Sequence, residues 1–226
     1  MNIDISKISA LNERFLVMLS TGRDSVCMTD ILCKNYDKSK MVFVYLWFYP
    51  EGCLSYRDEY IKSIEEKYGI EVKYHPHFEC YQINKKAPKL SFSAQRDWLM
   101  KKYNCTRTAY GWRKGESFQR NIILKHAPGG VPLDKPINAQ SDDEQYKDPQ
   151  SHIYPLWNIN ESELERYVIE NKIELSIEYQ YGLRDINIYS GVYAKFLHDV
   201  FPKDFEMSCK YHPQLKREYH RVISID

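Results

Sequence analysis

The sequence predicts an α/β fold: a mostly parallel five-stranded sheet with helices on both faces and a helical C-terminal extension. Short runs of β-branched and aromatic residues alternate with segments of helical period from residue 14 to residue 172. This order favours parallel strands joined by crossover helices. The chain has 226 residues, of which 43% are hydrophobic, enough to fill the core of one such domain.

The first half of the chain carries three strand and two helix patterns. "MVFVYLWF" is typical of a buried strand, because its β-branched and aromatic residues show no helical period. Tyr56, Tyr60, Ile61 and Ile64 fall at helical spacing, and Gly69 is a suitable C-cap. The predicted elements are a strand over 14–20, a helix over 23–36, a strand over 41–48, a helix over 53–69 and a strand over 70–75.

The second half continues the alternation after an irregular stretch over 76–90. Ser91 or Ser93 is the expected N-cap of the next helix, and Asn160 with Glu163 forms a capping-box pattern. The segment 127–150 is rich in proline, glycine and charge, and it is predicted to be a mobile loop or lid. The predicted elements are a helix over 91–104, a strand over 105–112, a helix over 115–126, a strand over 151–156, a helix over 160–172 and helices near 190–200 and 213–222.

Composition limits the classes of function. The formal net charge of +1 predicts no nucleic-acid or membrane partner from global charge, although a local basic patch stays open. The longest apolar runs are far shorter than a spanning helix needs, and the N-terminal residues lack the apolar centre of a secretory signal, so a cytoplasmic protein is expected. Six cysteines occur without a Cys-x-x-Cys pair, so neither a zinc ribbon nor an iron–sulfur cluster is expected.

The first candidate site is the hexapeptide "STGRDS" between the first strand and the first helix. Amides at a helix N-terminus and the helix dipole favour an anion there, and Gly22 permits close approach of the backbone. Ser20 and Ser25 can donate hydroxyl hydrogen bonds, Arg23 can grip phosphate, and Asp24 can hold Mg²⁺. The alternative is that this segment is only an N-cap and a connection. Neither a Walker A loop nor a dinucleotide fingerprint is present.

The second candidate site is "GWRKGESFQR", residues 111–120. Arg113 and Lys114 follow a predicted strand, and Arg120 lies about one turn along the next helix. Strand ends of a parallel sheet meet at one edge, so these cations suit a polyanion there. The alternative is an exposed basic turn. Arg107 on the preceding strand is a weaker candidate.

Four segments resemble a known family, in the family's order. "LSTGRDS" is similar to the pyrophosphate loop of the adenine nucleotide alpha hydrolase superfamily, also called PP-loop ATP pyrophosphatases. Three later segments resemble the phosphoadenosine phosphosulfate (PAPS) reductase family. They are "YPEGCLSYRDEYIKSIEEKYGIEVKYH", "GWRKGESFQR" and "YPLWNINESELERYVIENKI".

The resemblance implies a nucleotide-binding α/β domain over 1–175, with 176–226 as its helical extension. It implies an adenine nucleotide, ATP or PAPS, as ligand, with Mg²⁺ at Asp24. Arg23, Asp24, Arg113 and Arg120 are then expected to be catalytic. The residues expected to bind the nucleotide are Ser20, Thr21, Gly22, Ser25, Gly111, Glu116 and Ser117.

The sequence departs from the family pattern at three places. Thr21 stands where the family has glycine, and its Cβ is expected to weaken phosphate binding or to shift the loop. Trp47-Phe48-Tyr49 replaces Asp-Thr-Gly, although its rings can stack on a base. The reductases' C-terminal Glu-Cys-Gly-Leu-His is reduced to Cys209 and His212, and the cysteines of their iron–sulfur cluster are absent.

Retention of Asp24 and Ser25 favours ATP over PAPS. The leading hypothesis is therefore an enzyme that cleaves ATP between the α- and β-phosphates and adenylylates or activates a second substrate. One alternative is a thiol-dependent PAPS or APS reductase in which Cys209, with a pKa lowered by Lys210 and a histidine, is the nucleophile. Another is an inactive nucleotide-binding module.

Several features stay open at this level. The second substrate cannot be read, and its candidates are a nucleobase in tRNA or DNA, sulfate or a small metabolite. Relatives often form dimers, which leaves a homodimer open. Trp157 is expected to pack against the helix over 160–172. Glu161, Glu163 and Glu165 are expected to form a solvated face of that helix.

Overall fold

The computed structural model describes residues 3–49, 51–82, 91–132, 151–183 and 190–224. Most of the predicted loop over 127–150 lies outside these residues. The strands are β1 (Phe15–Leu19), β2 (Met41–Trp47), β3 (Val72–Pro76), β4 (Arg107–Ala109) and β5 (His152–Ile153). The helices are α1 (Ser6–Leu11), α2 (Arg23–Asn35), α3 (Ser55–Tyr68), α4 (Phe78–Gln82), α5 (Phe92–Tyr103), α6 (Phe118–Lys125), α7 (Glu161–Glu170), α8 (Gly191–Val200), α9 (Pro202–Tyr211) and α10 (Pro213–Ile223).

The five strands form one sheet in the order β3-β2-β1-β4-β5, and every described pair is parallel. The predicted parallel α/β fold is confirmed. The chain builds β1, β2 and β3 in one direction and then returns to the other side of β1 with β4. The direction of winding therefore changes between β1 and β4, and the loops after these two strands leave the same edge of the sheet.

Helices cover both faces of the sheet because the strand side chains alternate between two apolar clusters. Phe15, Val17 and Phe43 face the cluster that contains residues of α2, α3 and α7. Leu16 and Val44 face the opposite cluster, which contains Leu99 of α5. Apolar residues on both faces are what a doubly covered parallel sheet needs, and they explain why β1 and β2 read as continuous apolar runs.

A buried carboxylate sets the position of α7 beside α2. Asp30 of α2 accepts hydrogen bonds from the hydroxyls of Tyr68, at 2.9 Å, and Tyr167 of α7, at 2.6 Å. Its other partner is the ammonium of Lys34 at 2.7 Å. Asp30 and Tyr167 each lie about two turns after the start of their helices, so the N-termini of α2 and α7 come side by side.

The C-terminal helices α8, α9 and α10 pack together around a separate cluster that includes Tyr56, Tyr193 and Leu197. Asp204 of α9 accepts hydrogen bonds from the Ser55 amide, at 2.9 Å, and from the Ser55 hydroxyl, at 2.8 Å. The extension thus caps the N-terminus of α3 from outside, where the local residue Leu54 has no capping side chain.

The structure differs from the sequence prediction at several elements. β4 and β5 contain three and two residues, against the longer strands predicted over 105–112 and 151–156. Short helices α4 and α9 occur in segments where the sequence predicted none. α6 begins at Phe118, three residues later than predicted, because the Ser117 side chain accepts from the Arg120 amide as the N-cap. The Asn160–Glu163 capping box is confirmed.

No helix among the described residues is both long and apolar enough to cross a membrane.

Candidate functional site

The loop after β1 is held in shape by its own side chains. The Ser20 amide donates to the Ser25 hydroxyl at 2.8 Å, and that hydroxyl donates to the Met18 carbonyl at 3.2 Å. The Gly22 amide donates to the Ser20 hydroxyl at 3.3 Å. α2 begins at Arg23 directly after this turn, so its first-turn amides, which have no acceptor within the helix, open toward the same edge of the sheet.

The loop after β4 approaches this turn very closely. A Cβ at Gly111 would lie 3.0 Å from the Asp24 carbonyl carbon and oxygen and 3.2 Å from the Ser25 nitrogen. Glycine is therefore required where the two loops meet. Two residues later, the Arg113 Nε donates to the Asp24 Oδ2 at 2.9 Å. The two candidate segments of the sequence thus come together at the change in winding direction.

A cavity of about 770 Å³, here called the charged cavity, lies between these loops and α7. Most of its lining comes from the two candidate segments. The residues that line it are Ser20, Gly22, Arg23, Asp24, Ser25, Arg113, Glu116, Arg120, Glu161, Leu175, Tyr179 and Gly182.

Ion pairs join the three arginines and the carboxylates of the charged cavity. Arg23 Nη2 lies 2.6 Å from Glu161 Oε1, and Arg113 Nη2 contacts the other oxygen of the same carboxylate. Arg120 lies 2.9 Å from Glu116, whose carboxylate also accepts from the Arg113 amide at 3.0 Å. Burial raises the pKa of Asp24, although the neighbouring Arg113 opposes this effect.

A second cavity, of about 400 Å³, adjoins the first and is here called the aromatic cavity. Phe48 and His77 lie with their ring centroids 4.2 Å apart and their planes 30° from parallel. Ser20, Gly22 and Tyr179 line both cavities. The aromatic residues that line the second cavity are Tyr45, Phe48, His77, Phe92, Tyr110, Tyr179 and Tyr193.

A buried ion pair also lines the aromatic cavity, and sequence reasoning did not single it out. Arg57 and Glu178 are each 4% exposed, and the Arg57 Nη2 donates to Glu178 Oε1 at 2.9 Å. The Arg57 Nε donates to the Tyr56 hydroxyl at 3.0 Å, and that hydroxyl contacts the same carboxylate oxygen. Arg57 lies in an ordinary helix pattern, so no local signal marks a partner 121 residues away.

The remaining sequence candidates occupy different places. Thr21 is 2% exposed and lines the aromatic cavity, but it is not among the residues that line the charged cavity. Gly111 contacts the N-terminus of α2, and Ser117 caps α6. Lys114 is exposed and lines neither cavity. Arg107 pairs with Glu13 at 2.9 Å, at the opposite end of β4.

Cys209 belongs to the apolar cluster of the C-terminal helices and lines neither cavity. Burial raises the pKa of its thiol, and Lys210 pairs with Glu51. The expectation of a thiol pKa lowered by its neighbours is therefore wrong, since burial disfavours the thiolate.

The expectation of a solvated helix face is wrong for Glu161, because its carboxylate bridges Arg23 and Arg113. Trp157 packs against the cluster that contains Tyr110 and Trp112.

The donor set of the charged cavity suits Mg²⁺. Proteins usually hold this ion with one or two carboxylates and leave its other positions to water and phosphate. Asp24 supplies such a carboxylate in the lining of the charged cavity. Among the described residues, no group of three or more His, Cys, Asp or Glu side chains is arranged to hold a metal.

Two buried histidines predict acid sensitivity. Burial lowers the pKa of His77 to about 4, and burial together with Arg96 lowers that of His152 to about 3. Both rings are neutral in the folded protein, whereas in the unfolded chain a histidine has a pKa near 6.5. The contribution of each neutral ring to the free energy of unfolding is therefore fully present above pH 7 and decreases as the pH falls. Protonation of each ring in the unfolded chain is expected to lower the free energy of unfolding by about 2 kcal/mol between pH 7 and pH 5.

Urea unfolding at both pH values measures this loss. His77→Gln should remove about 2 kcal/mol of it, since this variant has no ring to protonate at position 77. An unaltered pH dependence in His77→Gln would contradict the assignment.

Comparisons with known proteins give structural matches but no sequence matches: no family model and no curated protein matches the chain. One similar solved structure is a PAPS reductase from Candida auris in a phosphate complex, 11% identical, covering 81% of this chain and 85% of that chain with a TM-score of 0.49. Another is the U34-tRNA thiolase NcsA from Methanococcus maripaludis with its [4Fe-4S] cluster, 18% identical, covering 91% and 72% with a TM-score of 0.43.

A third similar structure is an NH3-dependent NAD synthetase from Campylobacter jejuni in complex with the nitrate ion. It is 12% identical and covers 95% of this chain and 90% of that chain with a TM-score of 0.46. All three likenesses have identities below 25% and TM-scores below 0.5.

Proposed function

We propose that the protein is an adenine-nucleotide-binding enzyme that cleaves ATP between its α- and β-phosphates and transfers the adenylyl group to a second substrate. The observation that carries this proposal is the junction of the two cavities at Ser20, Gly22 and Tyr179. One cavity offers aromatic rings to a base, and the other offers arginines and helix amides to phosphates. Their volumes fall in the range of small-molecule sites.

The nucleotide would span the junction. Its base would stack in the aromatic cavity near Phe48 and His77, and its β- and γ-phosphates would lie against the first turn of α2. Arg113 and Arg120 would neutralise phosphate charge, and Asp24 would hold Mg²⁺, which supplies further neutralisation when bound. Gly22 keeps the backbone of the loop accessible to the phosphates.

The reaction on this proposal is a substitution at the α-phosphorus. An oxygen or sulfur nucleophile of the second substrate forms a bond to that phosphorus, and the bond to the bridging oxygen of the β-phosphate breaks. Pyrophosphate leaves with the bonding electron pair. The protein contributes mainly by positioning the reactants and by stabilising the charge that develops on the leaving group.

Incubation with α-labelled ATP, Mg²⁺ and candidate acceptors tests the proposal. The expected products are an adenylylated acceptor or AMP, together with pyrophosphate. Arg113→Met should lower turnover by about 100-fold, because a charge aimed at the phosphates is lost. Lys114→Met removes the adjacent cation outside both cavities and should turn over like the wild type.

Each alternative predicts a different result in the same assay. Formation of ADP and phosphate, or full turnover by Arg113→Met, would contradict the proposal. ATP binding without any pyrophosphate release would identify a binding module. Cys209→Ser should keep the ATP reaction. A PAPS reductase that acts through this thiol would instead lose its reduction of PAPS when Cys209 is replaced.

A further inference from the structure

The carboxylate of Glu161 lies where an anionic ligand of the charged cavity would bind. Glu161 is the first residue of α7, and its carboxylate lies 2.6 Å from the Arg23 guanidinium while its second oxygen contacts Arg113. Two arginines, one at the start of α2 and one in the loop after β4, converge on this one carboxylate. Such a paired, charge-assisted arrangement is the one that phosphate groups also accept from arginine.

The Arg23 amide, a backbone donor beside these side chains, is already paired with Tyr179. Its hydroxyl accepts a hydrogen bond of 2.7 Å from the Arg23 amide, at the first position of α2. Amides at this position of a helix are the ones that bind anions. The Arg23 amide and the Arg23 Nη2 therefore already have partners from within the chain.

The fold holds α7 in the position that makes this contact. The hydrogen bond from Tyr167 to Asp30 fixes α7 alongside α2 about two turns beyond Arg23 and Glu161. The Glu161 side chain itself is 44% exposed, so it can rotate into solvent without any movement of the helix backbone. Glu161 is thus both well placed to fill the site and able to leave it.

We infer that Glu161 is an internal stand-in for the anionic group of the ligand, which must displace this carboxylate in order to bind. This inference rests on the proposed function, since it assumes that a phosphate-bearing ligand enters the charged cavity. A pyrophosphate group carries more charge and more oxygen acceptors than a carboxylate, so it displaces Glu161 and gains contacts. The Glu161 contact lowers the affinity of every anion that takes its place by the same factor.

Calorimetric titration with inorganic pyrophosphate and inorganic phosphate, without divalent cations, tests the inference. Glu161→Gln is expected to bind pyrophosphate about tenfold more tightly than the wild type, and phosphate more tightly by a similar factor, because the internal competitor is gone. Glu165→Gln is the matched control. It removes the same charge one turn along α7, where the carboxylate lies 3.7 Å from Arg23, and its affinity should stay within about twofold.

Tyr179→Phe provides an independent measurement that leaves charge unchanged. It frees the Arg23 amide and is expected to tighten pyrophosphate binding about threefold. Thermal unfolding of all variants shows whether they fold. If Glu161→Gln does not fold, Glu161→Asp, which keeps the charge but shortens the side chain, is expected to tighten pyrophosphate binding for the same reason, and unchanged or weaker binding by it would overturn the inference.

Two results would overturn the inference. One is equal or weaker pyrophosphate binding by the folded Glu161→Gln variant in the absence of metal. Another is a loss of ATP binding by this variant only when Mg²⁺ is present, since Glu161 would then be a metal ligand. If the wild type binds ATP, either result leaves the proposed function intact. If neither protein binds pyrophosphate or ATP, the proposed function fails as well.

Discussion

Arg57→Met is expected to lower the free energy of unfolding by about 3–5 kcal/mol. The Arg57 guanidinium pairs with Glu178 at 2.9 Å, and both residues are 4% exposed. Methionine fills much of the same space but leaves the Glu178 carboxylate buried beside the Tyr56 hydroxyl without a counter-charge. The large effect therefore comes from the charge that remains and not from a lost contact.

Urea unfolding of the double variant Arg57→Met/Glu178→Gln separates these two causes. Removing the second charge should restore a large part of the stability lost in Arg57→Met, because no uncompensated ion is left inside. Two single losses that simply add would contradict this explanation. So would a loss below about 1 kcal/mol in Arg57→Met.

The pair also has a role in the arrangement of the site. Arg57 belongs to α3, and Glu178 belongs to the 3-10 helix Ile177–Tyr181, which also carries Tyr179. Tyr179 lies between the two cavities. The buried ion pair therefore fixes the segment that separates them, and Arg57→Met should weaken ATP binding under conditions in which the variant is still folded.

Gly111→Ala is the second change with a large expected effect. The new Cβ would lie 3.0 Å from the Asp24 carbonyl, and backbone atoms at the start of a helix cannot give way as a flexible side chain can. The loop after β4 must move, at an expected cost of about 1–3 kcal/mol. The Arg113 guanidinium would move away from Asp24, so nucleotide turnover should fall by more than the loss of stability alone explains.

Gly22→Ala is the matched control for the fold. Gly22 has a φ of −71°, which alanine adopts readily, and its Cβ would lie 3.3 Å from the end of the Ser20 side chain. Its urea midpoint should therefore stay close to that of the wild type. If Gly111→Ala is as stable and as active as the wild type, the two loops do not meet as closely as described here.

The order of elements and the first candidate loop were accessible from the sequence. β1 and β2 are buried on both faces, so their apolar runs carry a strong signal that does not depend on distant partners. The turn Ser20–Ser25 is closed by hydrogen bonds within a few residues, and short-range chemistry of this kind is written in the local sequence. The Asn160–Glu163 capping box was predicted for the same reason.

Edge elements were harder to predict because their limits depend on neighbours. β4 and β5 are shorter than predicted because they contain only the residues that pair with a neighbouring strand. α9 begins with a proline after Phe201 and packs within the C-terminal cluster, which the local pattern did not indicate. The wrong expectation for Cys209 has the same origin, since burial by distant residues outweighs the charges next to it in sequence.

The parallel α/β fold, the loop after the first strand and the basic turn after the fourth all follow from local patterns in the chain. Which side chains face these two loops depends on how the elements pack in three dimensions. Glu161 reads locally as one of several acids on a helix, yet the Asp30–Tyr167 contact brings it to Arg23. Arg57 and Glu178 lie 121 residues apart and pair only because the fold buries both. Long-range charge pairing leaves no periodic trace in the chain, because it depends on the three-dimensional packing of elements whose own patterns are ordinary.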